Sequence, residues 1–198
     1  MIIMYQGRRG AGKTLTMVKD ALKYKKQGWK IYSNIELGFS HEYISETDIL
    51  KIDEDSDINN SVLVIDEIQL LLDSRRSTAG TNLNFSYFVQ QIRKRNMILL
   101  CTAQFGGTVD LRLRQHTDIL AKPRYNKEFK VCEVSYIDLT AIDEYNIFDK
   151  PKTITVTFNC EPLFDNYNTN QIISSSLKKR KQKKKKEKEE KEKRKKSP

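Results

Sequence analysis

Eight residues near the start of the chain, Gly7 to Thr14, match the spacing G-x-x-x-x-G-K-[ST] at every fixed position. A mainly apolar segment, Ile2 to Gln6, precedes them, and apolar residues near helical spacing follow from Lys13 to about Gln27. Glycines in such a loop let successive backbone N–H groups curve around phosphate oxygens, and the amino end of the helix adds its dipole. The pattern therefore predicts a strand, a phosphate-binding loop and a helix, in that order.

The loop predicts a site for ATP and Mg²⁺. In this arrangement the Lys13 ammonium reaches the β- and γ-phosphates, and the Thr14 hydroxyl binds Mg²⁺. The predicted nucleotide-binding residues are Gly7, Arg8, Arg9, Gly10, Ala11, Gly12, Lys13, Thr14 and Leu15.

A second motif is the apolar run Val62 to Ile65, which ends in Asp66 and Glu67. Such a run is typical of a parallel strand buried on both faces, and it delivers two carboxylates at its carboxyl end. Asp66 is predicted to hold Mg²⁺, and Glu67 to polarise the attacking water as a general base. An adjacent glutamate favours hydrolysis over the small-molecule kinase reaction, which needs a hydroxyl substrate rather than activated water.

A third candidate is Gln104, which follows the apolar stretch Ile98 to Cys101 and the pair Thr102-Ala103. A side-chain amide both donates and accepts hydrogen bonds, so it suits contact with a γ-phosphate and with the attacking water. We therefore predict that Gln104 belongs to the catalytic set, together with Glu67 and Lys13.

Charge divides the chain into two parts. The 36 basic and 26 acidic residues give a net charge of +10, but 14 of the basic and 4 of the acidic residues lie in 178–198. Residues 1–177 thus hold 22 of each sign and are neutral. A Lys/Glu-rich segment buries too little apolar surface to offset the entropy of ordering. We predict a P-loop ATPase domain over 1–177 and a disordered basic tail over 178–198.

Alternating strand and helix patterns before Pro123 predict an α/β fold with a mainly parallel sheet flanked by helices. Residues 74–82 are predicted as a polar loop, 85–94 as a helix, and 97–102 and 118–121 as strands. Beyond Pro123 the pattern is β-rich, with strands expected at 129–137 and 153–158 inside an extension that covers 126–177.

Cysteine and hydropathy patterns exclude several classes of protein. Cys101, Cys132 and Cys160 are widely spaced, which argues against a disulfide framework or a zinc site and favours small core residues. His41 and His116 are isolated as well. No stretch approaches the roughly 20 apolar residues of a membrane-spanning helix, and no secretory leader is recognisable. We expect a cytoplasmic protein.

The motifs together resemble the zonular occludens toxin-like branch of the FtsK–HerA superfamily and its viral genome-packaging ATPases. The likeness covers roughly residues 1–125, with a weaker match near the end of the chain. The segments that carry it, besides the phosphate loop, are Tyr32 to Ile35, Val64 to Glu67, Ile92 to Met97, Thr102 to Gln104, Asp110 to Arg114 and Leu163 to Thr169.

This resemblance implies a RecA-like ASCE core, a ring of identical subunits, and ATP-driven movement of DNA during virus packaging or filamentous-phage assembly. Phage-assembly members typically carry a transmembrane segment, so the lack of one favours a packaging motor of the host cytoplasm, with virion association as an extension. Arginines of the superfamily often face a phosphate across the ring. Arg112 and Arg114 are the candidates for this role, and Arg93 and Arg95 are the competing pair.

Two alternatives remain open at this point: a nucleotide-switched assembly factor for filamentous-phage-type extrusion, and a nucleotide kinase. Candidate partners are DNA bound without sequence preference, further copies of the chain, and a capsid or membrane assembly protein. Arg75 and Arg76 could line a pore and touch DNA phosphates, although solvated loop charge is the simpler reading. The basic tail could bind DNA by counterion release, or another acidic surface.

Overall fold

The computed structural model describes residues 1–49, 52, 58–70, 79–104, 109, 111–140 and 151–167. The strands within these ranges are β1 (Ile2–Gln6), β2 (Lys30–Ser33), β3 (Glu42–Tyr43), β4 (Ser61–Ile65), β5 (Ile98–Ala103), β6 (Ile119–Asn126), β7 (Val131–Asp138) and β8 (Thr153–Asn159). The α-helices are α1 (Lys13–Lys26), α2 (Glu46–Ile49), α3 (Ala79–Lys94) and α4 (Leu111–Gln115). Short 3₁₀ helices at Ile68–Leu70 and Glu161–Asn166 follow β4 and β8.

All eight strands form one sheet in the order β3-β2-β4-β5-β1-β6-β7-β8. The five pairings from β3 to β6 are parallel, and the pairings of β6 with β7 and of β7 with β8 are antiparallel. Parallel register brings the carboxyl ends of β1, β4 and β5 to one edge of the sheet, the edge at which ligands bind in this class of fold. The predicted fold class is confirmed.

The central strand β4 shows how the core is divided. Its five residues are fully buried, and their side chains alternate between the two faces of the sheet. Leu63 and Ile65 join the apolar cluster that contains the buried side of α3, whereas Val62 and Val64 join the cluster that contains α1. The two main helices therefore cover opposite faces, which explains why β4 reads as a continuous apolar run rather than an alternating one.

Helix α3 begins at Ala79, six residues before the predicted start at Phe85. Its first turns carry glycine, threonine and asparagine, which are weak helix formers and show no apolar periodicity. The helix forms because Phe88, Val89 and Ile92 bury their side chains against the sheet. Extending an existing helix by further residues costs much less free energy than nucleating a new one. Tertiary packing thus overrides the local loop signal.

Strand β6 runs to Asn126, well beyond the predicted end at Ala121, and it passes through Pro123. It pairs with β1 only as far as Ala121 and continues along β7 alone, so the proline lies in a stretch with one neighbouring strand. The Asn126 side chain then accepts hydrogen bonds from the backbone N–H groups of Glu128 (3.0 Å) and Phe129 (3.1 Å). This turn delays the start of β7 to Val131, two residues after the predicted start.

A partly buried polar cluster joins the antiparallel part of the sheet to α1. The Asp20 carboxylate accepts hydrogen bonds from the hydroxyls of Tyr5 (2.7 Å) and Tyr136 (2.8 Å), and the Lys19 ammonium lies 3.0 Å away. Burial, reinforced by the negative charge of Asp20, holds the pKa of Tyr5 well above its usual value, so this tyrosine stays a hydrogen-bond donor. The cluster fixes β1, α1 and β7 relative to one another.

The three cysteines are free thiols that are fully buried, as small core residues would be. Across the described ranges, no helix has the length and apolar character needed to cross a membrane. The segments at 71–78 and 168–198, which contain Arg75, Arg76 and the basic tail, lie outside the described residues.

Candidate nucleotide site

The loop Gly7–Thr14 connects β1 to α1 at the carboxyl edge of the parallel strands. Gly10 and Gly12 have φ angles of 75° and 89°, in the left-handed region that glycine favours. A Cβ atom on Gly12 would also lie 3.1 Å from both the Cys132 sulfur and the Tyr125 Cβ. Two independent constraints therefore favour glycine at position 12: the left-handed backbone conformation and the close approach of β6 and β7.

The amino end of α1 is free of side-chain caps. Gly12 is the N-cap residue, and the first turn contains no acidic residue. The Lys13 side chain is 6% exposed and folds back over the loop, where its ammonium donates to the Arg8 carbonyl (3.2 Å). Backbone amides at an uncapped helix start, with a lysine beside them, form a site suited to an anion such as a phosphate.

Asp66 lies directly beside the helix start. Its Oδ1 accepts hydrogen bonds from the Thr14 hydroxyl (3.0 Å) and the Thr102 hydroxyl (2.6 Å). Burial raises the pKa of Asp66, whereas the hydrogen bonds from Thr102 and Thr14 act in the opposite direction. The structure thus brings together the two predicted metal ligands, Thr14 and Asp66, from elements 52 residues apart.

The donor set of this pair fits Mg²⁺. Magnesium takes oxygen ligands and usually binds through one or two protein groups, with phosphate oxygens and water completing its shell. The described residues contain no group of three His, Cys, Asp or Glu side chains that could hold a metal ion alone. A hydroxyl and a carboxylate next to an anion-binding loop suit a metal that arrives with a phosphate.

Asn34, which follows β2, fixes the backbone around Asp66. Its side-chain nitrogen donates to the Asp66 carbonyl (3.0 Å), and its side-chain oxygen accepts from the Asp66 N–H (2.8 Å). These two bonds replace sheet pairing at the point where β4 ends. They hold the carboxylate in place without touching it.

Glu67 and Gln104 meet at the ends of β4 and β5. The Gln104 amide nitrogen lies 3.2 and 3.4 Å from the two carboxylate oxygens of Glu67, and the Gln69 amide also donates to Glu67. The Glu67 backbone has a φ of 55°, unusual for a non-glycine residue, and its N–H donates to the Thr102 hydroxyl (2.8 Å). The predicted catalytic pair therefore lies directly after Asp66 and β5, at the same edge of the sheet as the phosphate loop.

A cavity of about 460 Å³ opens over the phosphate loop, a volume in the range of small-molecule sites. Lys13, Thr14 and Asp66 line one part of its wall. Besides Gly10 and Gly12 of the loop, the remaining described lining residues are apolar or aromatic, and they come from distant parts of the sequence: Leu15, Ile35, Tyr125, Phe164 and Tyr167.

None of the four candidate arginines lines this cavity. Soon after α4, the Asp118 N–H donates to the carbonyl of Ile2, the first residue of β1 (3.0 Å). The carboxyl end of α4, with Arg112 and Arg114, therefore leads to the edge of the sheet opposite the phosphate loop. Arg93 and Arg95 lie near the end of α3, just before β5 starts at the same opposite edge.

Sequence reasoning did not assign roles to Thr102, Asn34 or the aromatic wall. Thr102 and Asn34 are polar residues at the end of apolar strands next to the site, and this position in the sequence could have indicated a role for them. The aromatic residues had no such signal, because Tyr125 and Tyr167 are 42 positions apart and meet only through the fold.

Two of the solved proteins to which the fold is similar illustrate the likeness. One is the N-terminal domain of zonular occludens toxin from Neisseria meningitidis, with a TM-score of 0.58, 19% identity, and coverage of 84% of this chain and 98% of that one. The other is the genome-packaging NTPase B204 from Sulfolobus turreted icosahedral virus 2 in complex with ATP-γS, with a TM-score of 0.53, 12% identity, and coverage of 77% and 95%.

No protein-family model matches the sequence, and no curated protein matches it significantly. The sequence identities to the solved structures are low, so the likeness concerns the fold. At that level the resemblance drawn from the motifs is confirmed: the chain has the P-loop NTPase fold that the toxin domain and the packaging NTPase share.

Proposed function

We propose that this chain is an ATPase that couples hydrolysis to the movement of DNA, in virus genome packaging or virion assembly. Support for hydrolysis comes chiefly from one arrangement: Asp66 lines the cavity and is bonded to Thr14, and the adjacent Glu67 is bonded to Gln104. The residues at the phosphate loop bind the nucleotide and the residues at the strand ends act on water.

Each group has a definite task in this proposal. Bound Mg-ATP supplies the electrophilic γ-phosphate and the metal that neutralises its charge. The loop amides and Lys13 bind the phosphates, while Thr14 and Asp66 hold the metal. Glu67 takes a proton from the attacking water, a role typically worth about 10²–10⁴-fold in rate. Gln104 orients Glu67 through the bond between their side chains.

The proposal of DNA movement rests on the fold shared with a genome-packaging NTPase. Residues 1–177 are neutral, so a DNA-binding channel would have to be built by assembly of several copies into a ring. In this proposal an arginine of α4, or Arg93 or Arg95, acts on the phosphate of a neighbouring copy, since none of the four lines the cavity of its own chain. We place the domain boundary at residue 177 and assign the basic tail to DNA or an acidic partner.

The test is ATP hydrolysis by the full chain, with and without duplex DNA, repeated on a version ending at Leu177. We expect magnesium-dependent hydrolysis that DNA stimulates in both versions. Hydrolysis that DNA leaves unchanged in both would refute the motor. Phosphate transfer to a nucleotide instead of water would establish the kinase alternative.

Two variant pairs locate the chemistry. Lys13→Ala should abolish ATP binding, whereas Lys23→Ala, on the exposed side of the same helix, should leave binding intact. Glu67→Gln should bind ATP and lose about 10²–10⁴-fold in turnover, whereas Glu133→Gln on the exposed face of β7 should match the parent. If Glu67→Gln supports assembly as well as the parent does, the nucleotide-switched assembly factor replaces the motor.

Mixing variants tests the arginines. An arginine acting in trans should make Arg112→Ala or Arg114→Ala inactive alone. A mixture of that variant with Lys13→Ala should regain part of the activity, because one of the two kinds of mixed interface pairs an intact phosphate loop with an intact arginine. Full activity of both arginine variants alone would move the role to Arg93 or Arg95, and an inactive variant that mixing does not rescue would refute action in trans.

A further inference from the structure

The residues Cys160–Tyr167, here called the strap, cross the amino end of α1. The strap begins beside the β6–β7 turn, where the Cys160 N–H donates to the Lys130 carbonyl (2.8 Å). Its middle is anchored by Leu163, which is 7% exposed and joins the apolar cluster of α1. It ends beside the segment after β2, where Leu37 and Tyr167 form a β-bridge.

The far end of the strap is held tightly at Gly38. The Gly38 N–H donates to the Asn166 carbonyl at 2.7 Å. A Cβ atom on Gly38 would lie 2.6 Å from the Asp165 carbonyl oxygen and 2.8 Å from the Asn166 Cα, both backbone atoms. The strap is thus fixed at both ends, and its side chains are presented to the cavity from a defined position.

Two strap residues, Phe164 and Tyr167, line the cavity beside the phosphate loop, and Tyr125 at the end of β6 completes an aromatic wall. Phe164 is 39% exposed, although a large aromatic side chain of a closed core would be buried. One part of the cavity wall therefore carries the phosphate loop with Lys13 and the predicted metal ligands Thr14 and Asp66, and the other part is aromatic. A nucleotide has the same division into phosphates and base.

We propose that Phe164 and Tyr167 of the strap, together with Tyr125, form the subsite for the nucleotide base and hold a purine by stacking. This inference rests on the proposed binding of ATP and adds the base-binding residues to it. The base would be closed in by a segment that follows the phosphate loop by more than 140 residues in the sequence.

Tyr167 adds no charge to the aromatic wall at physiological pH. Burial, followed by the negative charge of Asp66, raises the pKa of Tyr167 to about 12. The phenol is therefore neutral over the physiological pH range, and no anionic oxygen faces the base from this residue.

The lining also predicts the base preference. Among the described residues of the cavity wall, the charged and hydroxyl-bearing side chains apart from the two tyrosines are Lys13, Thr14 and Asp66, all assigned to the phosphates and metal. The strength of stacking depends on the size of the base ring and not on its pattern of hydrogen-bond donors and acceptors. We expect ATP and GTP to bind with similar affinity, and both to bind more tightly than CTP and UTP.

The experiment compares the dissociation constants of Mg-ATP and of magnesium tripolyphosphate, measured by calorimetry on the full chain. Tripolyphosphate carries the phosphates without a base. Phe164→Ala and Tyr167→Ala should weaken Mg-ATP binding about 10- to 100-fold, the size of lost base stacking, and change tripolyphosphate binding less than twofold. Tyr167→Phe, which keeps the ring, should bind both ligands as the parent does.

Phe129→Ala is the matched control, since Phe129 is 68% exposed in the β6–β7 turn and does not line the cavity. Unchanged Mg-ATP affinity in both strap variants, or an equal loss for both ligands, would overturn the inference. Equal loss would mean that the strap supports the phosphate loop and does not bind the base. If the parent binds neither ligand, the proposed function itself fails, and the base subsite fails with it.

Discussion

Replacing Gly38 by alanine should displace the strap, because the new methyl group meets backbone on the opposite side. Its Cβ would lie 2.6 Å from the Asp165 oxygen, a distance that ordinary Cβ contacts do not reach. Backbone atoms cannot rotate away as a flexible side chain would. The strap must therefore shift, and the 2.7 Å hydrogen bond from Gly38 to Asn166 is lost or lengthened.

The expected cost has two parts. Overpacking a well-fitted contact costs about 1–3 kcal/mol, and a lost backbone hydrogen bond about 0.5–1.5 kcal/mol. The free energy of unfolding should therefore fall by about 2–4 kcal/mol. Alanine also lowers the entropy of the unfolded chain, a gain of about 0.4–1 kcal/mol that is common to every glycine-to-alanine change.

Gly28→Ala is the matched control. Gly28 has a φ of 88°, but a Cβ atom there would have no neighbour within 4 Å. The Gly28→Ala change should lower the free energy of unfolding only through the strain of an alanine in the left-handed backbone conformation, by about 1–2 kcal/mol. Urea unfolding should show the larger loss of unfolding free energy for Gly38→Ala, while the dependence of that free energy on urea concentration stays the same in both variants.

The reactivity of Cys160 gives a local measure of strap displacement beside the global unfolding free energy. Cys160, at the start of the strap, is fully buried, and burial raises the pKa of its thiol to about 11. Displacement of the strap should speed its reaction with a thiol reagent in Gly38→Ala and not in Gly28→Ala, as mass spectrometry of labelled peptides would show. Equal stability losses together with equal labelling rates would refute the close packing of the strap on Gly38.

Three further changes test other parts of the structure. Thr102→Val keeps the shape of a buried residue but removes the hydrogen bonds to Asp66 and from the Glu67 N–H. The free energy of unfolding, measured by urea titration, should therefore fall by about 2–4 kcal/mol, whereas the exposed control Thr157→Val should leave it nearly unchanged. Asp20→Asn leaves two tyrosine hydroxyls and Lys19 without their charged acceptor, and we expect a loss of about 2–4 kcal/mol against about 1 kcal/mol for Tyr136→Phe, measured by thermal and urea unfolding. Chelation of Mg²⁺ should abolish hydrolysis reversibly, and Asp66→Asn should raise the Mg²⁺ concentration for half-maximal activity; an unchanged magnesium dependence would remove Asp66 from the metal site.

The strands and the phosphate loop were predictable because their signals are local. The glycine spacing of Gly7–Thr14, the apolar run before Asp66 and the helical periodicity after Lys13 each lie within one stretch of chain. Parallel strands present their carboxyl ends at one edge, so the sequence also predicts that the loop, Asp66 and Gln104 converge there. The errors were at boundaries, as at the start of α3, where packing of Phe88 and Ile92 outweighs weak local propensity.

The sequence by itself thus determined the fold class and the residue types gathered at the carboxyl edge of the sheet. Only the tertiary structure decided that Thr102 bonds Asp66 from 36 residues away, since this depends on the register of β4 against β5. It alone decided that Arg112 and Arg114 of α4 do not line the cavity over the phosphate loop. It alone brought the strap against Gly38 and the phosphate loop, because such contacts are made by long-range packing and hydrogen bonding that no local pattern encodes.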